Sequence, residues 1–217
     1  MAEVTERAPS KRRTRGRPLA DASVGPDVIL RAARRTFAKR GYDATSVREV
    51  ARELGVDAAL IAHHFGTKET LWLAVVEQIV DLATPMFDAL RALRTSSLPH
   101  RDRVRRALEL CVDHEFDEPD IGMFFSTAAT EVGMRLDRLQ ERLVRPYHEV
   151  MFPLLSDAVQ AGAIRAVDPN VLFFMIASAI GTTVSYSHMM LGFTSLPTQR
   201  DAFKQAVLAA ALNIIGD

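Results

Sequence analysis

Apolar residues between positions 26 and 65 recur at three- and four-residue intervals in three short runs. In the first, Ile29, Ala32, Ala33, Thr36 and Phe37 share one face of a helical wheel, while Arg31, Arg34, Arg35 and Lys39 fall elsewhere. Pro26 suits the first helical position, where its preset φ helps and its missing N–H has no intrahelical partner. Gly41 is placed to end this helix in a left-handed cap. Ser46 followed three residues later by Glu49 is a capping box that opens a second helix, whose buried stripe is Val47, Val50, Ala51 and Leu54. Gly55 breaks it, Val56 follows as an apolar anchor, and Asp57 caps a third helix running to about Phe65. Ile61 and Phe65 then face a core, leaving Ala58, Ala59, Leu60, His63 and His64 outward. Two short helices joined by a glycine-containing turn form a helix-turn-helix, whose second helix is narrow enough to enter a major groove.

From Thr67 a longer run, Leu71, Trp72, Val75, Ile79, Leu82 and Met86, predicts a helix linking this head to the remainder of the chain. Thr84-Pro85 marks a kink or an end in it, because the proline ring removes a backbone hydrogen bond. Beyond it the pattern predicts helices over 100–116, 119–131, 134–161, 168–193 and 197–215, with Pro146 and Pro153 inside the longest. No stretch alternates as a strand would. The fold class is therefore all-α: a three-helix head and a helical body. The expected division is an arm over 1–24, a head over 25–84 with its motif at 46–65, and a body over 85–217.

Charge sharpens this division. The 217 residues balance at 27 basic and 27 acidic. Yet residues 1–68 carry 14 Lys and Arg against 8 Asp and Glu, and the rest carry 13 against 19, so a net +6 faces a net −6. A basic end on an acidic body fits a protein that touches a polyanion with one end. The first residues hold Pro, Gly and Ser without apolar periodicity, and Arg12, Arg13, Arg15 and Arg17 lie there among other cations, suited to neutralising phosphates or entering a minor groove. One cysteine, Cys111, excludes an intrachain disulfide and fits a reducing, cytoplasmic setting. Residues 169–199 carry no charge, and Val171 to Phe193 is long enough to cross a bilayer. Its Ser, Thr, Tyr and His content instead predicts a helix packed on the body at one side and on a second subunit at the other, with no membrane partner.

The gapless stretch from Phe37-Ala38-Lys39-Arg40-Gly41-Tyr42 through Thr45-Ser46-Val47-Arg48-Glu49-Val50-Ala51-Arg52-Glu53-Leu54-Gly55-Val56 to Phe65-Gly66-Thr67-Lys68-Glu69-Thr70-Leu71 resembles the DNA-binding signature of the TetR family of transcriptional regulators. The resemblance spans about residues 26–72. It implies an all-helical ligand-binding and dimerisation domain after the head, a homodimer formed through the last two helices, and a double-stranded DNA operator as partner. It places Arg48 against a base or phosphate, residues 58, 59, 60, 63 and 64 on the DNA face, and Lys68 on a phosphate. With the caps and flanks, the candidate DNA-binding set is Thr45, Ser46, Arg48, Asp57, Ala58, Ala59, Leu60, His63, His64, Thr67 and Lys68. Thr67 has its own physical case, since it caps a helix whose exposed amides bind phosphate. The sequence departs from the family pattern at Ala62, where an aromatic is usual. With Ala58, Ala59 and Leu60 outward, hydrogen-bond readout rests on Arg48 and the histidines, and specificity is partly indirect.

For an effector the body offers Met and aromatic side chains with few polar handles: Phe116, Met123, Phe124, Phe125, Tyr147, His148, Met151, Phe173, Met175, Tyr186, His188 and Met189. They suit a small apolar or aromatic molecule. The competing classes are a ligand-independent DNA-binding or architectural protein and a helical enzyme. The chain has no G-x-S-x-G, Walker A or G-x-G-x-x-G, and no Glu three residues before any His. Adjacent His63 and His64 point about 100° apart on a helix and do not share an ion. Asp113 and Glu115 beside Cys111 raise its thiol pKa. The expectation is therefore no enzyme activity, no metal and no cofactor.

Overall fold

The computed structural model describes residues 24–216, and the basic arm with Arg12, Arg13, Arg15 and Arg17 lies outside them. The described residues form helices and connecting turns only. The head comprises α1 (Pro26–Arg40), α2 (Val47–Leu54) and α3 (Ala58–Phe65). Gly25 precedes α1 in extended backbone with Pro26 at its first turn, and Gly41 closes it at φ +76°, ψ 173°, with the positive φ expected of a glycine cap but a ψ outside the left-handed helical region. Ser46 and Glu49 form the capping box at α2, Gly55 ends α2 in the left-handed region, and Asp57 accepts the Ala59 N–H at 2.8 Å to start α3.

The linking helix α4 (Lys68–Arg94) is continuous over 27 residues, so Pro85 interrupts a hydrogen bond without ending it. The Thr84 hydroxyl donates to the Val80 carbonyl at 2.8 Å, one residue before the carbonyl that Pro85 leaves without its usual donor. The body follows as α5 (His100–Asp117), α6 (Asp120–Ala128), α7 (Met134–Leu139), α8 (Arg145–Gln160), α9 (Pro169–Ser185), the single turn α10 (Ser187–Met190) and α11 (Arg200–Ile215). The predicted 134–161 segment runs on without a break but widens into a π turn at Gln140–Val144. Pro146 explains the widening, because its ring clashes with the carbonyl four residues back and a wider turn relieves that clash.

The predicted 168–193 helix is corrected: α9 ends at Ser185, and the Tyr186 N–H closes its last turn on the Thr182 and Val184 carbonyls. Its 17 residues are too few for a bilayer crossing. Among the described residues α4 is the helix long and apolar enough to cross a membrane, and it carries two hydrophobic cores instead.

Those cores meet along α4. Leu71, Trp72, Val75, Val76 and Ile79 pack with the head, whereas Ala83, Phe87, Leu90 and Leu93 pack with the body. The head core also takes in Ile121, Phe124 and Ala128 of α6, and Leu139 and Leu143 beyond it. Thus α6 lies on α1, and the Thr127 hydroxyl donates to the Ala38 carbonyl at 2.9 Å.

Candidate nucleic-acid interface and internal cavity

The outer surface of the helix-turn-helix carries Arg48, Ala59, Ala62, His63 and His64, all exposed, with the His63 and His64 ring centroids 5.6 Å apart. Acids on the supporting face are paired: Glu49 binds Arg40 at 2.7 Å, and Glu53 accepts from the Thr36 hydroxyl at 2.7 Å. Glu49 is held below the usual carboxylate range chiefly by the Ser46 N–H and hydroxyl. Arg31, Lys39, Arg48 and Arg52 are exposed and form no ion pair among the described residues, so the positive potential is left to the outside. Ser46, Asp57 and Thr67 are exposed and serve as caps, Thr67 accepting the Thr70 N–H at 3.1 Å.

Four expected contact residues sit differently. Thr45 is buried and its hydroxyl donates to the Gly41 carbonyl at 2.7 Å, which makes its side chain a strut for the α1–α2 turn. Ala58 and Leu60 are half-buried against the head core, because α3 turns its first residues partly inward over that core. Lys68 is half-buried too. Its ammonium donates to the carbonyls of Tyr42 at 2.8 Å, Thr45 at 2.9 Å and Asp43 at 3.4 Å, and sits 4.2 Å from the Tyr42 ring centre. An ammonium has three protons, so Lys68 ties the turn to α4 with none left for a phosphate. Arg135 covers the Tyr42 ring at 3.9 Å, adding a contact from α7 to the same turn. Ala62, which stands in the sequence as a departure from the family pattern, is exposed and joins the outer surface.

Inside the molecule α4, α5, α6, α8 and α9 enclose a cavity of about 280 Å³. Phe87, Phe125, Tyr147, Phe173 and Phe174 supply its rings, and Ile79, Ile121 and Leu143 line it while also belonging to the head core. Its polar groups are His114, Glu115, Ser126, Ser178 and Thr182. Of the expected effector residues Phe125, Tyr147 and Phe173 reach it. Phe116 packs on Phe203, Phe124 on Trp72, and Met151 lies in the body core. Met123 flanks the head core, and His148 Nε2 lies 2.9 Å from Asn170 Oδ1. Met175 and Met189 are exposed, and Tyr186 and His188 pack on each other beyond the end of α9.

Burial raises the Cys111 thiol to about 12, more than the Glu115 charge does, while Asp113 pairs with Lys204 at 2.7 Å. The Tyr147 hydroxyl donates to Cys111 Sγ at 3.1 Å. Burial also lifts Glu115 to about 7, and its Oε2 is buried without a hydrogen-bond partner. His114 is lowered by burial, with Glu118 and Asp117 opposing. No group of three or more metal-ligating side chains occurs among the described residues.

Residues 29–75 match the model of the bacterial regulatory proteins, tetR family. The chain is 27% identical over 165 residues to the HTH-type transcriptional regulator RutR of Escherichia coli K12, covering 76% of each. It is 44% identical over 50 residues to the HTH-type transcriptional repressor AcnR of Corynebacterium glutamicum, covering 23% of this chain and 27% of that one. In fold it resembles the transcriptional regulator FadR from Bacillus subtilis, solved in complex with stearoyl-CoA, with a TM-score of 0.59 at 16% identity over 87% of this chain and 96% of that one.

Over residues 29–75 the chain carries the DNA-binding head of the tetR family. It is a DNA-binding transcriptional regulator with the family's helix-turn-helix head and helical C-terminal domain. Within this TetR-family frame the residues that sequence reasoning missed are His114, Glu115 and the glycines Gly122 and Gly181. The two glycines let α6 and α9 cross closely: a Cβ on Gly122 would stand 2.5 Å from Ser185 Oγ and 2.7 Å from the Gly181 carbonyl oxygen. Glu115 falls four residues after Cys111, a spacing that places both on one side of α5, and that was the available signal.

Proposed function

We propose that the chain is a homodimeric repressor that holds a palindromic DNA operator with two heads and is released by a small apolar or aromatic molecule entering the cavity. The observation that carries this reading is shared lining: Ile79, Ile121 and Leu143 border the cavity and at the same time pack the head core. A ligand that displaces them moves the surface on which α1 and α4 rest. Release then follows from tighter ligand binding to the displaced arrangement, by the ratio of the two affinities.

The last two long helices support the dimer. α9 and α11 pack together, and they expose Val171, Phe174 and Met175 on one and Ala202, Ala206, Ala209 and Ala210 on the other. Large apolar groups beside small ones suit close packing against a second copy. Two heads reading half-sites about one helical turn apart match operator symmetry. In this reading Arg48, His63 and His64 touch base edges or phosphates, Ala59 and Ala62 approach thymine methyls, and Ser46, Asp57 and Thr67 hold the helix ends that face the backbone. The protein works in the cytoplasm, without a catalytic step, cofactor or membrane contact. The relatives are consistent with this direction, AcnR being a repressor and FadR having been solved with an acyl-CoA.

Mobility shift of DNA from beside its own gene, against nonspecific competitor, tests the reading. A shift that survives competitor in wild type and weakens in Arg48→Ala supports it. A shift insensitive to every small molecule in a screen favours the ligand-independent alternative.

A further inference from the structure

We propose that the cavity takes a small lipophilic organic cation, an ammonium group on an aromatic or alkyl body, with Glu115 as its counter-ion. This rests on the ligand-released reading above and names the chemistry of the same site.

The lining contains no lysine or arginine, and its one acid, Glu115, has a buried oxygen with no hydrogen-bond partner. Such an oxygen costs free energy until a donor arrives. None of the cavity's own donors meets that oxygen. The Tyr147 hydroxyl is committed to Cys111 Sγ and the Ser126 hydroxyl to the Gly122 carbonyl at 2.9 Å. An acceptor that the protein leaves unmet selects a guest that brings protons. The rings agree with this, since Tyr147 stacks on Phe87 at 5.9 Å and meets Phe173 edge-on at 5.1 Å, and ring faces attract cations. Gly181 leaves room beside the carboxyl: a Cβ there would lie 3.8 Å from Glu115 Oε1. The volume, about 280 Å³, is near the lower end of ordinary small-molecule sites, so the guest is compact.

The titratable groups around Glu115 are Cys111 and His114 of α5 and Tyr147 of α8, while α4, α6 and α9 present apolar, glycine and hydroxyl residues and no charge to the cavity. With Glu115 protonated up to about pH 7, a cation must expel that proton to form the ion pair. Affinity therefore rises with pH across that value.

Calorimetry on the full-length protein, with phenylbutylammonium, phenylbutanol and phenylbutanoate as probes, tests this. The expected result is a clear preference for the ammonium, strengthening about tenfold between about pH 6 and about pH 8, and lost in Glu115→Gln. Equal or tighter binding of the alcohol or the acid, or no binding of the ammonium, overturns the inference. The ranking of probes on wild-type protein decides the matter even if the variant fails to fold. A mobility shift in parallel separates the two readings: ammonium binding that leaves the DNA complex intact upholds the cation site and sinks ligand release, whereas DNA release by the alcohol alone does the reverse.

Discussion

Arg34 of α1 is buried to 2% exposure and ion-pairs with Glu118, in the turn between α5 and α6, with Asp120 at the start of α6 a further 3.8 Å partner. The pair joins the DNA-reading head to the helix that roofs the cavity. Glu118 also bears on His114, one turn back on the cavity wall, so one short chain of charges runs from cavity to head.

Removing one member strands the other. Arg34 already has Nε and Nη1 buried without partners, so loss of Glu118 leaves a guanidinium held only by the more distant Asp120. Glu118→Ala should cost about 2–3 kcal/mol in urea unfolding. The double change Arg34→Met with Glu118→Ala should recover part of it, because no unpaired buried charge remains. Strictly additive losses would show that the pair does not couple the two domains.

Arg48 and Lys68 should separate in their salt behaviour, although both are cations of the DNA-binding signature. Arg48 is exposed and unpaired, so Arg48→Ala should weaken operator binding about tenfold and lower the slope of log affinity against log salt by about one. Lys68 is committed to three carbonyls and a ring. Lys68→Ala should leave the slope nearly unchanged and instead lower the melting temperature, through loss of the clasp between α4 and the α1–α2 turn. A slope reduced equally by both would show that Lys68 leaves its clasp on DNA.

This contrast shows which parts of the molecule the sequence can reveal. Ser46 with Glu49, and Asp57 with Ala59, act over two or three residues, so their patterns predict the caps and the helix starts directly. Lys68 shares a signature with DNA-contacting lysines, and only the folded turn brings the carbonyls of Tyr42 and Thr45 to its ammonium. The cavity is less legible still. Composition points to Met and aromatic residues, but near neighbours on one helix diverge: Phe173 is buried and lines the cavity, whereas Met175 is 51% exposed. Glu115 reads as an ordinary surface acid on a charged helix until α4, α6, α8 and α9 close over it.

Gly122 and Gly181 face each other where α6 crosses α9, yet they should respond oppositely to alanine. At Gly122 the added carbon meets backbone atoms at 2.7 and 3.0 Å, which cannot yield as a flexible side chain would. Gly122→Ala should therefore push the helices apart and cost about 2 kcal/mol or more. At Gly181 the nearest atoms are 3.7 Å away or farther, in ordinary contact, so Gly181→Ala should be near neutral in stability or slightly favourable through helix propensity. It also narrows the space beside Glu115, so ligand affinity should fall while folding does not. Denaturation of both variants, with calorimetry on the second, checks the pair.

Glu115 should make the empty protein less stable as pH rises. Its folded pKa of about 7 lies above the ordinary 4.5, because burial disfavours the carboxylate. A carboxyl shifted upward contributes its full stability below the unfolded value, and loses it as pH climbs from there through the folded value. The loss between about pH 5 and about pH 8 is at most roughly 3 kcal/mol, reduced to the extent that water enters the cavity. His114 works in the opposite sense, its lowered pKa costing stability as the solution becomes acidic, so the raw profile mixes the two. Subtracting the profile of Glu115→Gln isolates the carboxyl: the difference should decline through neutrality in the empty protein and flatten when a saturating organic cation stabilises the ionised form. A difference that stays level from acid to alkaline pH would show that Glu115 is as well solvated as a surface acid.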